Sequence, residues 1–133
     1  MLTEIDILTL ARTVYGEARG ESFQGKIAVA HVVLNRVAKE SWYGKTIHGV
    51  CKKRWQFSSW NQNDPNRAKI LAVTLSDKVF RACFLATLSA TEKGGDPTEG
   101  STHYHHVDIL PRWAKGQVPV VSIGAHLFYN SVR

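Results

Sequence analysis

The chain has 133 residues, 44% of them hydrophobic and 21% charged, with a formal charge of +6; the length suits one domain with one core, and the composition excludes a disordered chain. Its longest apolar run, "IAVAHVVL" at 27 to 34 and broken by His31, is far short of the roughly 20 residues that cross a bilayer, so no stable membrane insertion is expected. The positive balance draws polyanions without choosing among nucleic acid, anionic lipid and anionic cell-wall polymer.

The opening "MLTEIDIL" sets acidic residues where an export signal would carry positive charge, so no signal peptide is expected. Thr3 followed by Asp6 makes a capping-box-like start and predicts a helix from residue 3 or 4. Ile7, Leu10, Ala11, Val14 and Ala18 recur at helical spacing and face the core, with Glu4 and Arg12 pointing elsewhere. Glu17 falls along that apolar stripe, between Gly16 and the stop signal Gly20, in the last turn. Burial and the negative end of the helix dipole both disfavour its charged form, and Arg19, two positions on, points away. A carboxyl kept protonated near neutral pH is what a general acid needs to protonate a glycosidic leaving oxygen. A buried glutamate bonded to backbone is the alternative, and spacing alone does not choose.

A second helix is predicted from Phe23 to Lys39, capped by Ser22, with Ile27, Ala30, Val33, Leu34, Val37 and Ala38 on one face. Val29 and Val32 widen that face until little polar surface remains, which makes this helix the centre of the core. "NQNDPNRAK" reads as a turn into a helix starting near Pro65. Asp77 caps a further helix through Phe80, Cys83, Phe84, Thr87 and Leu88 that ends at "KGGDP". Beyond residue 98, extended stretches around "STHYHHV" and "VPVVSI" predict a small β element or irregular arms. Cys51 and Cys83 have no metal or redox spacing and read as buried free thiols, a disulfide being the alternative.

Two stretches invite chemistry. "WQFSSWNQND" at 55 to 64, beside the basic run "KKR", sets aromatic rings among amides and hydroxyls with no helical or strand period. The rings either anchor a loop or stack on a ligand. In "STHYHH" at 101 to 106, His103 and His105 share a face of an extended segment, as a metal pair could, while His106 points the other way. No helix-borne histidine pair or cysteine completes a ligand set, so no metal is expected and the histidines are candidates for lining a groove.

"ARTVYGEARGE" at 11 to 21, "GKIAVAHVVLNRV" at 25 to 37, "QFSSW" at 56 to 60 and "SIGAHLFY" at 122 to 129 resemble, in this order, the SleB-type cell wall hydrolase family. The resemblance implies a mainly α (α+β) single domain over residues 1–133, lysozyme-like and similar to goose-type lysozyme and the lytic transglycosylases, with a small β element. It also implies a catalytic acid at Glu17 and places Gln56, Phe57 and Ser58 beside it. From it follow substrate contacts at Gln56 and Ser58, packing or stacking at Trp60, and a core position for Phe57. Tyr104 matches a family tyrosine, in a segment richer in histidine than is usual there, and His103, among the histidines that could line the groove, is the other candidate contact of this arm. His126 also resembles a family position, with a core histidine the plainer expectation.

Most glycosidases need a second carboxylate. Glu21, Asp96, Glu99 and Asp108 are available, and none has a distinguishing context. Lytic transglycosylases need none, because the muramic 6-hydroxyl attacks and one Glu serves as acid and then base. The expected function is therefore cleavage of peptidoglycan between N-acetylmuramic acid and N-acetylglucosamine by a lytic transglycosylase, with hydrolysis by the same Glu as the alternative. A zinc amidase and a polyanion- or glycan-binding module are the rival classes. The expected protein is a cofactor-free monomer that binds no nucleic acid. It resembles a phage endolysin, made in the host cytoplasm and released to the wall; a bacterial germination enzyme is the other origin.

Overall fold

The computed structural model describes residues 2–53, 56–92 and 94–132, so Arg54 of the basic run and Trp55 of the aromatic stretch lie outside the described residues. Thr3 forms both halves of a capping box with Asp6, and α1 runs Glu4–Ala18. Ser22 accepts from the Gly25 N–H and opens α2, Phe23–Lys39, whose Ala28, Val29, Ala30, Val32 and Val33 have no exposed surface. This helix is the central one, as its near-continuous apolar surface predicts. Ala38 departs from the expected apolar face: it is exposed, as are residues 39–42 at the end of α2 and just after it.

A short α3, Ile47–Lys52, was not anticipated; Thr46 caps it, and Ile47, Val50 and Cys51 turn inward. Pro65 precedes α4, Asn66–Ala72, and Asp77 caps α5, Lys78–Thr91, by accepting from the Val79 and Phe80 N–H groups. Phe80, Cys83, Ala86, Thr87 and Ala90 are the buried positions of α5, while Phe84 and Leu88 are only half-buried. Helices α1, α2 and α5 pack against one another around Leu10, Val14, Val29 and Val33, with Phe57 closing the core. Arg12 points off the core-facing stripe and finds partners there: its Nη1 donates to the Ile70 and Val73 carbonyls at 2.5 and 2.9 Å. The unpaired carbonyls at the end of α4 draw the guanidinium in, across the face of Phe80.

The C-terminal segment forms a three-stranded antiparallel sheet: β1 (His103–His106), β2 (Val121–Ile123) and β3 (His126–Tyr129), in the order β1-β3-β2. Tyr104 lies opposite Phe128, and His106 opposite His126, so these four share one face. Phe128 anchors that face on Ala28 and Val32 of α2. The architecture is the mainly helical one with a small β element that the sequence implies. Both cysteines are free and buried, and burial pushes the Cys51 thiol up to about 12 and that of Cys83 to about 11.

Candidate active site

Glu17 reaches the surface of the core in the last turn of α1 because Gly16, its neighbour, lets another segment approach. An ideal Cβ on Gly16 would stand 2.4 Å from Ser59 Oγ and 2.7 Å from Ser59 Cβ. Only a glycine admits the turn Ser58–Trp60 this close to the helix. Ser59, buried, then donates through its hydroxyl to Glu17 Oε2 at 3.1 Å. From the opposite side the sheet delivers Tyr104, whose hydroxyl donates to Glu17 Oε1 at 2.9 Å. Two segments distant in sequence thus grip one carboxyl.

Burial is the largest influence on Glu17 and raises its pKa above the usual carboxylate range. The hydrogen bonds from Tyr104 and from the side chain and backbone of Ser59 oppose it, nearby Asp64 adds to it, and burial wins. Arg19 does point away, donating to the Tyr15 carbonyl and to Asn66 Oδ1. What results is a partly buried carboxyl that holds its proton to higher pH than a free glutamate, with one edge on a cavity of about 570 Å³. That cavity is lined on the other sides by Arg36, Trp42, Gln56, Trp113 and the histidines of the sheet.

Of the residues singled out from sequence, Glu17, Gln56, Tyr104 and His103 line this one cavity. His103 is buried, bonded through Nδ1 to the Thr102 hydroxyl, and pushed down to about 4 by burial and by Arg36 and Lys39, so it is neutral. Ser58 and Trp60 lie elsewhere. Ser58 is exposed and lines neither this cavity nor its neighbour; the hydroxyl on the acid belongs to Ser59, one position along. Trp60 is half-buried against the core, its Nε1 donating to Thr13 Oγ1 at 2.8 Å, with Lys52 Nζ 4.7 Å from its ring. It borders a second cavity of about 660 Å³ with Asn61, Gln62, Asn63, Asp64 and Pro65.

The other carboxylates are committed to structure or lie in water. Glu21 Oε1 accepts from the Ala125 N–H at 3.0 Å and ties the β2–β3 turn to the start of α2, and a Cβ on Gly124 would fall 2.3 Å from it. Asp96 accepts from Asn35, Thr98 and Gly100; burial opposes its ionisation, but these bonds prevail and hold its pKa down. Glu99 and Asp108 are exposed. Of the sheet histidines, His105 is engaged with the His106 carbonyl and the Tyr129 hydroxyl and His106 Nδ1 with the Asp108 N–H, while the buried Nδ1 of His126 has no hydrogen-bond partner among the described residues and lies 3.9 Å from Glu21 Oε1. Among the described residues, no three His, Cys, Asp or Glu side chains are grouped to hold a metal ion.

Sequence reasoning missed Ser59 and Arg36. Ser59 was visible only as part of "QFSSW", where either serine could face Glu17; Arg36 was not singled out, and it is buried.

Residues 20–129 match the family model described as Cell Wall Hydrolase. The chain belongs to the cell wall hydrolase family. The match begins three residues after Glu17, so the case for that residue rests on the geometry above and on the sequence resemblance. The catalytic domain of the Bacillus cereus SleB protein superposes with a TM-score of 0.77 at 30% identity, over 96% of this chain and 91% of that one. The catalytic domain of the germination-specific lytic transglycosylase SleB from Bacillus anthracis gives the same TM-score and identity, over 96% and 95%. The spore cortex-lytic enzyme of Halalkalibacterium halodurans is 31% identical over 94% of this chain, which spans 34% of that protein. The Bacillus subtilis enzyme of the same name is 30% identical over 92%, and the chain spans 37% of it. This member of the family thus corresponds to little more than a third of these relatives' length.

Proposed function

We propose that this chain is a single peptidoglycan-cleaving catalytic domain that cuts between N-acetylmuramic acid and N-acetylglucosamine as a lytic transglycosylase, with Glu17 as acid and then base. The observation that carries this is one carboxyl on the cavity, its pKa raised by burial, with no second carboxylate among the described lining residues. In the first step the Glu17 proton passes to the glycosidic oxygen as the bond from C1 of the muramic ring breaks. The oxygen of the 6-hydroxyl of that ring then bonds to C1 and its proton returns to Glu17, leaving a 1,6-anhydro end. Neither step calls for an activated water. Tyr104 and Ser59 hold the carboxyl in place and stabilise the carboxylate between the two transfers.

The relatives' names, spore cortex-lytic enzyme and lytic transglycosylase, support this chemistry. Hydrolysis by the same Glu is the second possibility, since water competes with the 6-hydroxyl for the same carbon. The positive charge suits an anionic wall, and release to the wall from a host cytoplasm, as a monomeric phage endolysin, is the setting we infer. The test is lysis of purified sacculi by Glu17→Gln, which keeps the volume and loses the acidic proton. A fall of about 100 to 10,000-fold is expected; activity within about threefold of the parent would remove Glu17 from the chemistry.

A further inference from the structure

Tyr104 reaches Glu17 from β1, and its ring is held between two residues of β3. It lies flat against Phe128, with ring centres 5.7 Å apart at 29°, and edge to face against His126, at 4.9 Å and 68°. His126 is only 6% exposed and shares the cavity wall with Glu17 and Tyr104. The cleavage chemistry leaves it unused. Its buried Nδ1 has no hydrogen-bond partner among the described residues. Glu21 Oε1, 3.9 Å away, is beyond hydrogen-bonding length and already accepts from the Ala125 N–H.

A buried polar atom left unpaired is costly, so bonds of its own do not hold this imidazole in place. The backbone that carries it does. Gly124, at φ 57°, brings the β2–β3 turn so close to Glu21 that a Cβ there would fall 2.3 Å from Oε1, and Ala125 donates to the same oxygen. His126 is the next residue. Glu21 stands four positions after Glu17, so the chain end that carries the acid also clamps the turn that carries His126. His126 in turn bears on the tyrosine that comes back to the acid. Without the imidazole, Phe128 would be the one aromatic neighbour left to the Tyr104 ring among the described residues.

We propose that His126 is a positioning residue for the acid: its ring, seated by Glu21 and Gly124, fixes Tyr104 where the tyrosine hydroxyl donates to Glu17. The effect passes through packing and not through charge. Burial lowers the His126 pKa, Glu21 opposes that, and His106 and His105 add to the lowering, so the imidazole is neutral near pH 7 and replacing it removes no charge beside Glu17. The Tyr104 hydrogen bond lowers the Glu17 pKa, and loosening it should raise that pKa. The inference rests on Glu17 as the acid of the cleavage proposed above, but it is read on the carboxyl itself.

The experiment follows the Glu17 carboxyl carbon by NMR across pH in protein isotope-labelled at glutamate, the signal being the one lost in Glu17→Gln. His126→Ala should raise the Glu17 pKa by between half and all of the rise that Tyr104→Phe produces. In the double variant the His126 substitution should add nothing, and His126→Phe, which restores a ring beside Tyr104, should return the pKa toward the parent's. Gly124→Ala forces Glu21 and the turn apart without touching the imidazole and should also raise it; this variant decides if His126→Ala fails to fold. A Glu17 pKa unmoved in folded His126→Ala or Gly124→Ala, or a rise in the double variant beyond that of Tyr104→Phe, would overturn the inference. The alkaline limb of sacculus cleavage should move with the carboxyl. A limb that stays while the pKa moves would sustain the positioning and sink Glu17 as the acid, so the two failures are told apart.

Discussion

Gly16→Ala separates a helix-propensity effect from a site-packing effect by its sign. Replacing an interior helical glycine by alanine ordinarily stabilises by about 1 kcal/mol. Here the new Cβ would meet Ser59 Oγ at 2.4 Å, Ser59 Cβ at 2.7 Å and Ile70 Cγ2 at 3.1 Å. Carbon atoms rest near 3.5–4.0 Å, so Ser59 has to retreat by roughly 1 Å. Its hydroxyl, 3.1 Å from Glu17 Oε2, then passes out of hydrogen-bonding range. Overpacking of this kind costs about 1–3 kcal/mol. With the lost hydrogen bond added and the propensity gain subtracted, a net loss of roughly 1–3 kcal/mol remains. For a chain of this length that lowers Tm by about 4–11 °C, where propensity alone would raise it by about 3–4 °C. Calorimetry gives the sign, and lysis of sacculi at 25 °C, where parent and variant are both folded, should fall because the acid loses one of its two side-chain partners. A more stable Gly16→Ala protein with parental lysis would refute the packing of Ser59 on α1.

Tyr104→Phe removes a hydrogen bond that lowers the Glu17 pKa, so the acid form should persist to higher pH and the alkaline limb of the kcat/KM profile should move up while the plateau falls. An unmoved limb, or one shifted down, would contradict the contact. Glu17→Gln should be more stable than the parent at and above neutral pH. Between the ordinary glutamate value of 4.5 and the raised folded value, the folded state keeps a proton that the unfolded state has released, so parental stability declines as pH rises through that window. The Tm difference between variant and parent should therefore narrow toward acid pH; a difference independent of pH would contradict the raised pKa. Trp60→Ala should cost about 2 to 3 kcal/mol, less than truncation of a fully buried tryptophan, through its lost bond to Thr13 and lost packing. A Tm unchanged within a degree, with weakened glycan binding, would return Trp60 to the substrate surface.

The helices were legible where local chemistry marked their starts. Thr3, Ser22 and Asp77 each cap the helix assigned to them, since a cap is a contact between near neighbours in sequence. The short α3 passed unread because six residues give too few turns for a period to stand out. Glu17 was legible as a carboxylate on an apolar stripe, while its partners were not. Tyr104 is 87 residues away and Ser59 is 42, and only the fold sets that a strand and a tight turn converge on one helix end. The choice between Ser58 and Ser59 depended on a single-residue register that the period-free stretch could not supply. Neither the partners of Arg12 nor the burial of Arg36 was legible, for a common reason. A guanidinium can be buried when backbone carbonyls and ring faces receive it, and neither is visible in a pattern of apolar spacing.

The central claim is that one carboxyl, Glu17, both gives and takes the proton during cleavage. Mass spectrometry of the muropeptides released from purified sacculi by the parent and by Glu17→Gln tests it most directly. Fragments ending in 1,6-anhydro-muramic acid from the parent, and none above background from the variant, are the predicted result. Reducing muramic ends as the main parental product, free stem peptides, or anhydro ends still formed by Glu17→Gln would contradict it.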